Sequence, residues 1–244
     1  MSAPARRPAG QDATRPNALV VCEAVSRDYR TGTARVAAVR EVSCAVGPAT
    51  RIALTGRSGS GKSTLLHLMA GLDTPTAGTI SWPGLGDVPR GRPGLVGFIF
   101  QGPSLLPELT AAQNIALPRL FGGHSQGHAA ISAAEALRRL GIEDLSDALP
   151  DQLSSGQAQR VAIARALATR PRLILADEPT GRLDAATGTQ VIAALLDVAD
   201  EIDAGLVVAT HDPAVAVQLG ESWQMNDGRL AISTQRRDQP KERP

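Results

Sequence analysis

The apolar positions of this chain fall into short separate runs rather than long periodic stretches. Residues 19–25 and 36–46 have strand character, with Tyr29 placed on a turn-rich connection between them. The run Arg51-Ile-Ala-Leu-Thr stops at a glycine-rich loop, and residues 62–70 continue with helix-compatible spacing. Leu173-Ile-Leu-Ala ends in Asp177-Glu178-Pro179, and Leu206-Val-Val-Ala ends just before Thr210 and His211. Short runs that are apolar throughout suit parallel strands buried on both faces. Helical spacing recurs at 128–140, 157–169 and 185–202, and more briefly at 214–219. Residues 82–97 are rich in Gly and Pro and read as a loop with at most short strands. Strands alternating with helices imply an α/β fold, with a mainly parallel sheet covered on both faces.

A length of 244 residues suits one large α/β domain with a substantial core. Residues 1–17 mix Pro, Ala, Arg and Gly without periodicity and read as a disordered extension. Residues 235–244 read as a second loose tail. The body, 18–234, shows no internal repeat. No apolar run reaches the ~18 residues of a membrane span, and the N-terminus lacks the apolar core of a secretory signal. Cys22 and Cys44 lie in apolar stretches, which argues for a reducing compartment over a disulfide framework. A soluble, cytoplasmic protein is expected.

With 25 basic and 24 acidic residues the net charge is +1, and only three Phe, two Trp and one Tyr are present. Both observations argue against nucleic acid as a partner. Two of the basic residues, Lys62 and Lys241, are lysines, and all the others are arginines. One lysine therefore stands inside the body of the chain, at a particular place.

That place is Gly56-Arg57-Ser58-Gly59-Ser60-Gly61-Lys62-Ser63-Thr64, which fits the G-x-x-x-x-G-K-[ST] phosphate loop. The glycines let successive backbone N–H groups turn inward to meet phosphate oxygens. A helix starting at Lys62 adds its positive end and unpaired amides. Lys62 reaches the β- and γ-phosphates, the Ser63 hydroxyl coordinates Mg²⁺, and Thr64 contacts the α-phosphate. An accidental Gly/Ser turn is the bland alternative. It lacks the strand before and the helix after that this motif requires.

Asp177, at a strand end, suits the Mg²⁺ that bridges the phosphates. Glu178 is placed to orient and deprotonate an attacking water. Two acids after a strand are more often a helix cap or a solvated turn, but a phosphate loop in the same sheet reverses that balance. His211, just past another strand, is positioned for the γ-phosphate or the water. His67 reads as a packing residue, and His124 and His128 as members of a glycine-rich surface loop.

A second motif follows at Leu153-Ser154-Ser155-Gly156-Gln157, continuing Ala-Gln-Arg-Val-Ala-Ile-Ala-Arg. Ser/Gly capping of a helix is its generic reading. Together with the phosphate loop it closely resembles the signature of ATP-binding-cassette (ABC) ATPases, and the resemblance extends over nearly the whole body. It implies a P-loop NTPase of ABC type: a mainly parallel core sheet, a small antiparallel β-subdomain and an α-helical signature subdomain over about 102–156. It implies that Tyr29 stacks on adenine. Gln101 then touches Mg²⁺ and water and senses a membrane partner, and Asp184 communicates across a dimer.

The resemblance also implies function. Two copies pack head to tail, each ATP is clamped between one copy's phosphate loop and residues 154–157 of the other, and hydrolysis drives a transmembrane permease. The chain would then lie on the inner face of the cell membrane. Residues 71–78, 105–110, 114–118 and 178–184 look like the lipoprotein-release and macrolide-exporter subgroup. Cell-division ATPases share this pattern, so a purely regulatory module is the alternative. Three departures stand out: Ser155 replaces the usual glycine, Arg182 replaces asparagine, and 82–96 is short, which points to a trimmed β-subdomain. DNA-maintenance ATPases are disfavoured, because residues 65–152 hold no coiled-coil heptads. A P-loop kinase or GTPase has no role for residues 153–157, and a two-cassette factor needs a second phosphate loop.

Overall fold

The computed structural model describes residues 17–32, 34–86 and 88–233. The loose segments expected at the two ends lie, apart from Asn17, outside the described residues. Two sheets organise the rest. The larger has six strands in the order β5-β6-β7-β3-β8-β9, where β3 is Arg51–Thr55, β5 Val96–Ile99, β6 Leu173–Asp177, β7 Gly205–Ala209, β8 Glu221–Asn226 and β9 Arg229–Ser233. All its pairings are parallel except β8 with β9. The smaller sheet is antiparallel, ordered β2-β1-β4, from β1 (Val20–Thr31), β2 (Ala34–Val46) and β4 (Ala77–Ser81).

Every residue of β6 and β7 is buried, and the pleat divides them between two cores. Ile174, Ala176, Leu206 and Val208 face a cluster shared with α2 (Ala111–Phe121), α3 (Gln126–Arg139), α4 (Ser155–Leu167) and α5 (Ala185–Glu201). Leu173, Leu175, Val207 and Ala209 face the other cluster, with α1 (Lys62–Met69) and the antiparallel sheet. Because both faces are covered, these strands show no polar alternation. A short helix, α6 (Pro213–Gln218), precedes β8.

Several expectations need correction. Tyr29 lies within β1, paired with Val36, and not on a connection. The two strands run on to a tight turn near residue 32, so most of the expected loop is sheet. His128 is in the first turn of α3, where Ser125 caps it, and not in a loop. The residue patterns single out no segment for β4, α2, β8 or β9, although α2 falls inside the helical subdomain that the resemblance implies at about 102–156. β4 is largely exposed and is held by backbone pairing to β1. α2 contains Pro118, a residue that usually ends helices, but it starts on a full Thr110/Gln113 capping box. In β8 the alternation is present, since Trp223 and Met225 are buried while Gln224 and Asn226 are exposed. Among the described residues of 82–95 no strand forms.

The antiparallel sheet is tied to the segment after α1 by one ionic cluster. Arg27 Nε donates to Asp73 Oδ2 at 2.9 Å, and its Nη2 lies 2.8 Å from Oδ1. The Tyr29 hydroxyl donates to the same Oδ2 at 2.7 Å. Burial alone would raise the Asp73 carboxyl. Hydrogen bonds from Tyr29 and the Thr74 N–H, with the charge of Arg27, outweigh that and hold it below its ordinary value. A carboxyl lowered on folding stabilises the native state above its unfolded pKa, and this is lost as pH falls through the native one. The urea midpoint difference between wild type and Asp73→Asn is therefore expected to be constant above about pH 5. It shrinks as pH falls below ~3.9. A difference independent of pH down to the acid limit would contradict this.

Candidate active site

β3 ends at Thr55, and the chain curls through residues 56–61 before α1 begins at Lys62. Gly56, Gly59 and Gly61 take φ of 147°, 77° and 104°. Two of them are required by close approach as well. A Cβ on Gly56 would stand 2.3 Å from the Met225 carbonyl oxygen, and one on Gly61 2.2 Å from that of Ala38. The N-terminus of α1 has no side-chain cap. By contrast Thr110, Ser125, Ser154, Asp184 and Asp212 cap α2, α3, α4, α5 and α6. The first amides of α1 thus keep their hydrogen-bonding capacity for something other than protein.

Those amides face a cavity of about 600 Å³ lined by Ala38, residues 57–64, Gln101, Asp177, Glu178 and His211. Lys62 is buried, and its Nζ donates to the carbonyls of Gly56 (2.8 Å) and Arg57 (3.2 Å). One ammonium proton remains, and Glu178 Oε1 lies 4.0 Å away. Asp177 is 5% exposed, and its Oδ1 has no partner among the described residues; the same holds for Ser60 Oγ. An unpaired buried carboxylate oxygen beside the Ser63 hydroxyl and the Gln101 amide is a donor set that fits Mg²⁺.

Glu178 has a positive φ of 47°, a conformation that costs a side-chain-bearing residue energy and often marks a working site. Its N–H is held by the Ala209 carbonyl at 2.9 Å. This turn sends the carboxylate back across the strand ends, where Oε2 is 2.8 Å from His211 Nδ1. A carboxylate only accepts, so His211 Nδ1 carries the hydrogen of this bond. Ends of β3, β6 and β7, and the residue two beyond β5, thus converge on one pocket, as crevices at strand C-termini do in α/β sheets.

The other expected site residues lie outside the cavity lining. Residues 154–157 form the start of α4: Ser154 Oγ accepts from the Gln157 N–H (3.2 Å), and Gln157 Oε1 accepts from the Ser154 N–H (2.8 Å). The hydroxyl hydrogen of Ser154 and the amides of Ser155 and Gly156 are not used by this cap. Asp184 caps α5, and the Thr187 N–H (2.9 Å) and hydroxyl (2.7 Å) hold its carboxyl below the usual range. Tyr29 sits on β1, bonded to Asp73. His67 stacks on Phe98 at 5.1 Å, as a packing residue. The sequence reading missed Ala38, whose carbonyl seats Gly61, and the Arg27–Asp73 pair. Only the alternation of β2 and the acid at 73 hinted at them.

The sequence profile of the family described as "ABC transporter" matches residues 39–181. The lipoprotein-releasing system ATP-binding protein LolD of Shewanella frigidimarina (strain NCIMB 400) is 40% identical over 222 residues, covering 88% of this chain and 93% of the relative. LolD of Shewanella denitrificans is 39% identical, covering 88% and 95%. The fold superimposes on the ATP-binding cassette MJ0796, solved as a dimer in a post-hydrolysis state with ADP and Pi. The TM-score is 0.82 at 34% identity, over 89% of this chain and 99% of that one. CbiO1 of Clostridium perfringens, part of the ABC transporter complex cbiONQ, gives 0.74 at 27% identity, over 88% and 87%.

The close approaches predict a graded response to added methyl groups. Gly59→Ala meets nothing within 4 Å, so its cost is the left-handed strain alone, roughly 1–2 kcal/mol. Gly61→Ala adds a backbone collision and is expected to lower stability further and to abolish nucleotide binding. Urea denaturation and calorimetry check both, and equal losses for the two variants would contradict the geometry.

Proposed function

This chain belongs to the ABC transporter family as an ATP-binding, ATP-hydrolysing subunit, and we propose that it works as a head-to-tail pair clamping two ATP molecules and releasing lipid-anchored proteins from a membrane. The observation that carries the clamp is a separation. Lys62, Gln101, Asp177, Glu178 and His211 reach one cavity, whereas residues 154–156, with amides and a hydroxyl to offer, do not line it. A second copy supplies those donors to the open side of the phosphates. The release reading rests on the LolD relatives.

In this reading Tyr29 contacts adenine, and residues 56–64 hold the triphosphate through backbone amides, Lys62 and Thr64. Mg²⁺, held by Ser63, Asp177 and Gln101, neutralises charge on the β- and γ-phosphate oxygens when bound. Glu178 accepts a proton from a water as the water oxygen bonds to the γ-phosphorus, and the bond to the β,γ-bridging oxygen breaks to leave ADP. His211 donates Nδ1–H to Glu178 and so fixes the carboxylate, while its Nε2 accepts a hydrogen bond from the water. Ser154, Ser155, Gly156 and Gln157 of the partner copy contact the γ-phosphate, and Asp184 lies at the seam. Loss of that phosphate releases both halves.

Among the described residues no helix is long and apolar enough to cross a membrane; in this reading the chain reaches the membrane through a permease. A cleft of about 500 Å³ suits such a contact. Leu72, Phe98, Leu117 and Phe121 line it with Arg90 and Arg165, and Phe121 is 73% exposed. Exposed apolar patches of this kind mark partner surfaces, and the arginines favour an acid-bearing apolar helix. Phe98 faces this cleft and Gln101 the nucleotide cavity, three residues apart.

Replacing Glu178 by Gln is expected to slow hydrolysis by about 10²–10⁴-fold while ATP binding persists and a nucleotide-bound dimer accumulates. Turnover assays and size-exclusion chromatography with ATP check this; normal turnover would remove Glu178 from the proton-accepting role. Phe121→Asp should leave turnover of the isolated chain unchanged and prevent co-purification with the permease. Undiminished co-purification would place the contact elsewhere.

A further inference from the structure

The Arg27–Tyr29–Asp73 cluster does more than tie β1 to the segment after α1. The Arg27 guanidinium carbon lies 4.8 Å from the centre of the Tyr29 ring, within cation–π range. The same guanidinium grips both oxygens of Asp73, and Asp73 takes the Tyr29 hydroxyl. One face of the ring is therefore covered and its far end is tethered, so neither torsion is free. Tyr29 is nonetheless 36% exposed, and among the described residues no other ring packs on it. Its strand partner is Val36. Two residues along β2 lies Ala38, a wall of the phosphate cavity, which puts the strand partner of Tyr29 about 7 Å along β2 from that wall. A ribose covers that distance.

We propose that Arg27 and Asp73 are positioning residues: they preset the Tyr29 ring as a one-sided platform for adenine, so that a charge pair outside the phosphate cavity governs affinity for the base. This rests on the reading that Tyr29 contacts adenine. The ring is ordered during folding, so its ordering does not have to be offset when nucleotide binds. Burial of one face behind the guanidinium leaves a single face for stacking, which fixes the base on the side away from Arg27. Asp73 stays ionised at neutral pH because its hydrogen bonds hold it below the ordinary carboxylate range, so the tether does not loosen there.

The test measures dissociation constants of ADP and of inorganic tripolyphosphate for the full chain by calorimetry. The second ligand occupies the phosphate loop and has no base. Tyr29→Ala and Arg27→Leu are each expected to weaken ADP binding about tenfold, the scale of one lost base–aromatic stack, and to leave tripolyphosphate binding unchanged. The double variant should lose no more than either single one. Arg27→Lys should recover most of the loss, because an ammonium also sits over a ring, and Asp73→Asn should fall between. If Tyr29→Ala weakens ADP while Arg27→Leu does not, the positioning role is wrong and the Tyr29 reading stands. If Tyr29→Ala has no effect, that reading fails and this inference with it. Equal weakening of both ligands by Arg27→Leu would assign Arg27 a structural role only and overturn the proposal.

Discussion

The phosphate loop passes between two other backbones with no room for a side chain on either flank. On one side Gly56 abuts the carbonyl of Met225 in the core sheet, and on the other Gly61 abuts that of Ala38 in the antiparallel sheet. The loop is thus the joint between the two sheets, and its curvature is set by their packing. That packing leaves α1 uncapped by any side chain, unlike the other five α-helices described. An uncapped helix start needs a partner for its amides, and the cavity beside it is where a triphosphate supplies one. Lys62 reinforces the same arrangement from below by tying its ammonium to the carbonyls of Gly56 and Arg57.

Around this joint the chemistry comes from strand ends. β6 delivers Asp177 and Glu178, and the segments after β7 and β5 deliver His211 and Gln101. The left-handed turn at Glu178 is a local strain that the Ala209 carbonyl and the His211 contact help to hold. The site is polar on one side and open on the other. That openness suits a second copy better than a lid from the same chain, since α4, with its free hydroxyl hydrogen and amides, belongs to the other packed cluster.

The sequence revealed most where the chemistry is local. A glycine pattern followed by Lys62 encodes a loop and helix start within nine residues, and an apolar run ending in two acids encodes a buried strand with charge at its tip. Elements whose stability is non-local were harder to see. β4 is held by pairing to a distant strand, and α2 by capping and tertiary packing that override its proline. Arg27, Asp28 and Tyr29 look like a surface turn in the sequence, yet β1 runs on through them by shifting its register on β2 at bulges. The Arg27–Asp73 pair spans 46 residues, a separation that no periodicity reports. The glycines beside His128 suggest a loop and obscure the Ser125 cap that starts α3.

The central claim is that each active site combines the phosphate loop of one copy with residues 154–156 of another. Complementation tests this most directly. A Lys62→Ala chain and a chain carrying Ser154→Arg and Gly156→Asp should each be inactive alone. Mixed in equal amounts, they should regain hydrolysis up to roughly a quarter of the wild-type rate, because half of randomly formed two-fold pairs contain one intact composite site of two. If the mixture stays as inactive as its components while mixed pairs demonstrably form, both halves of the site come from one chain and the account is wrong.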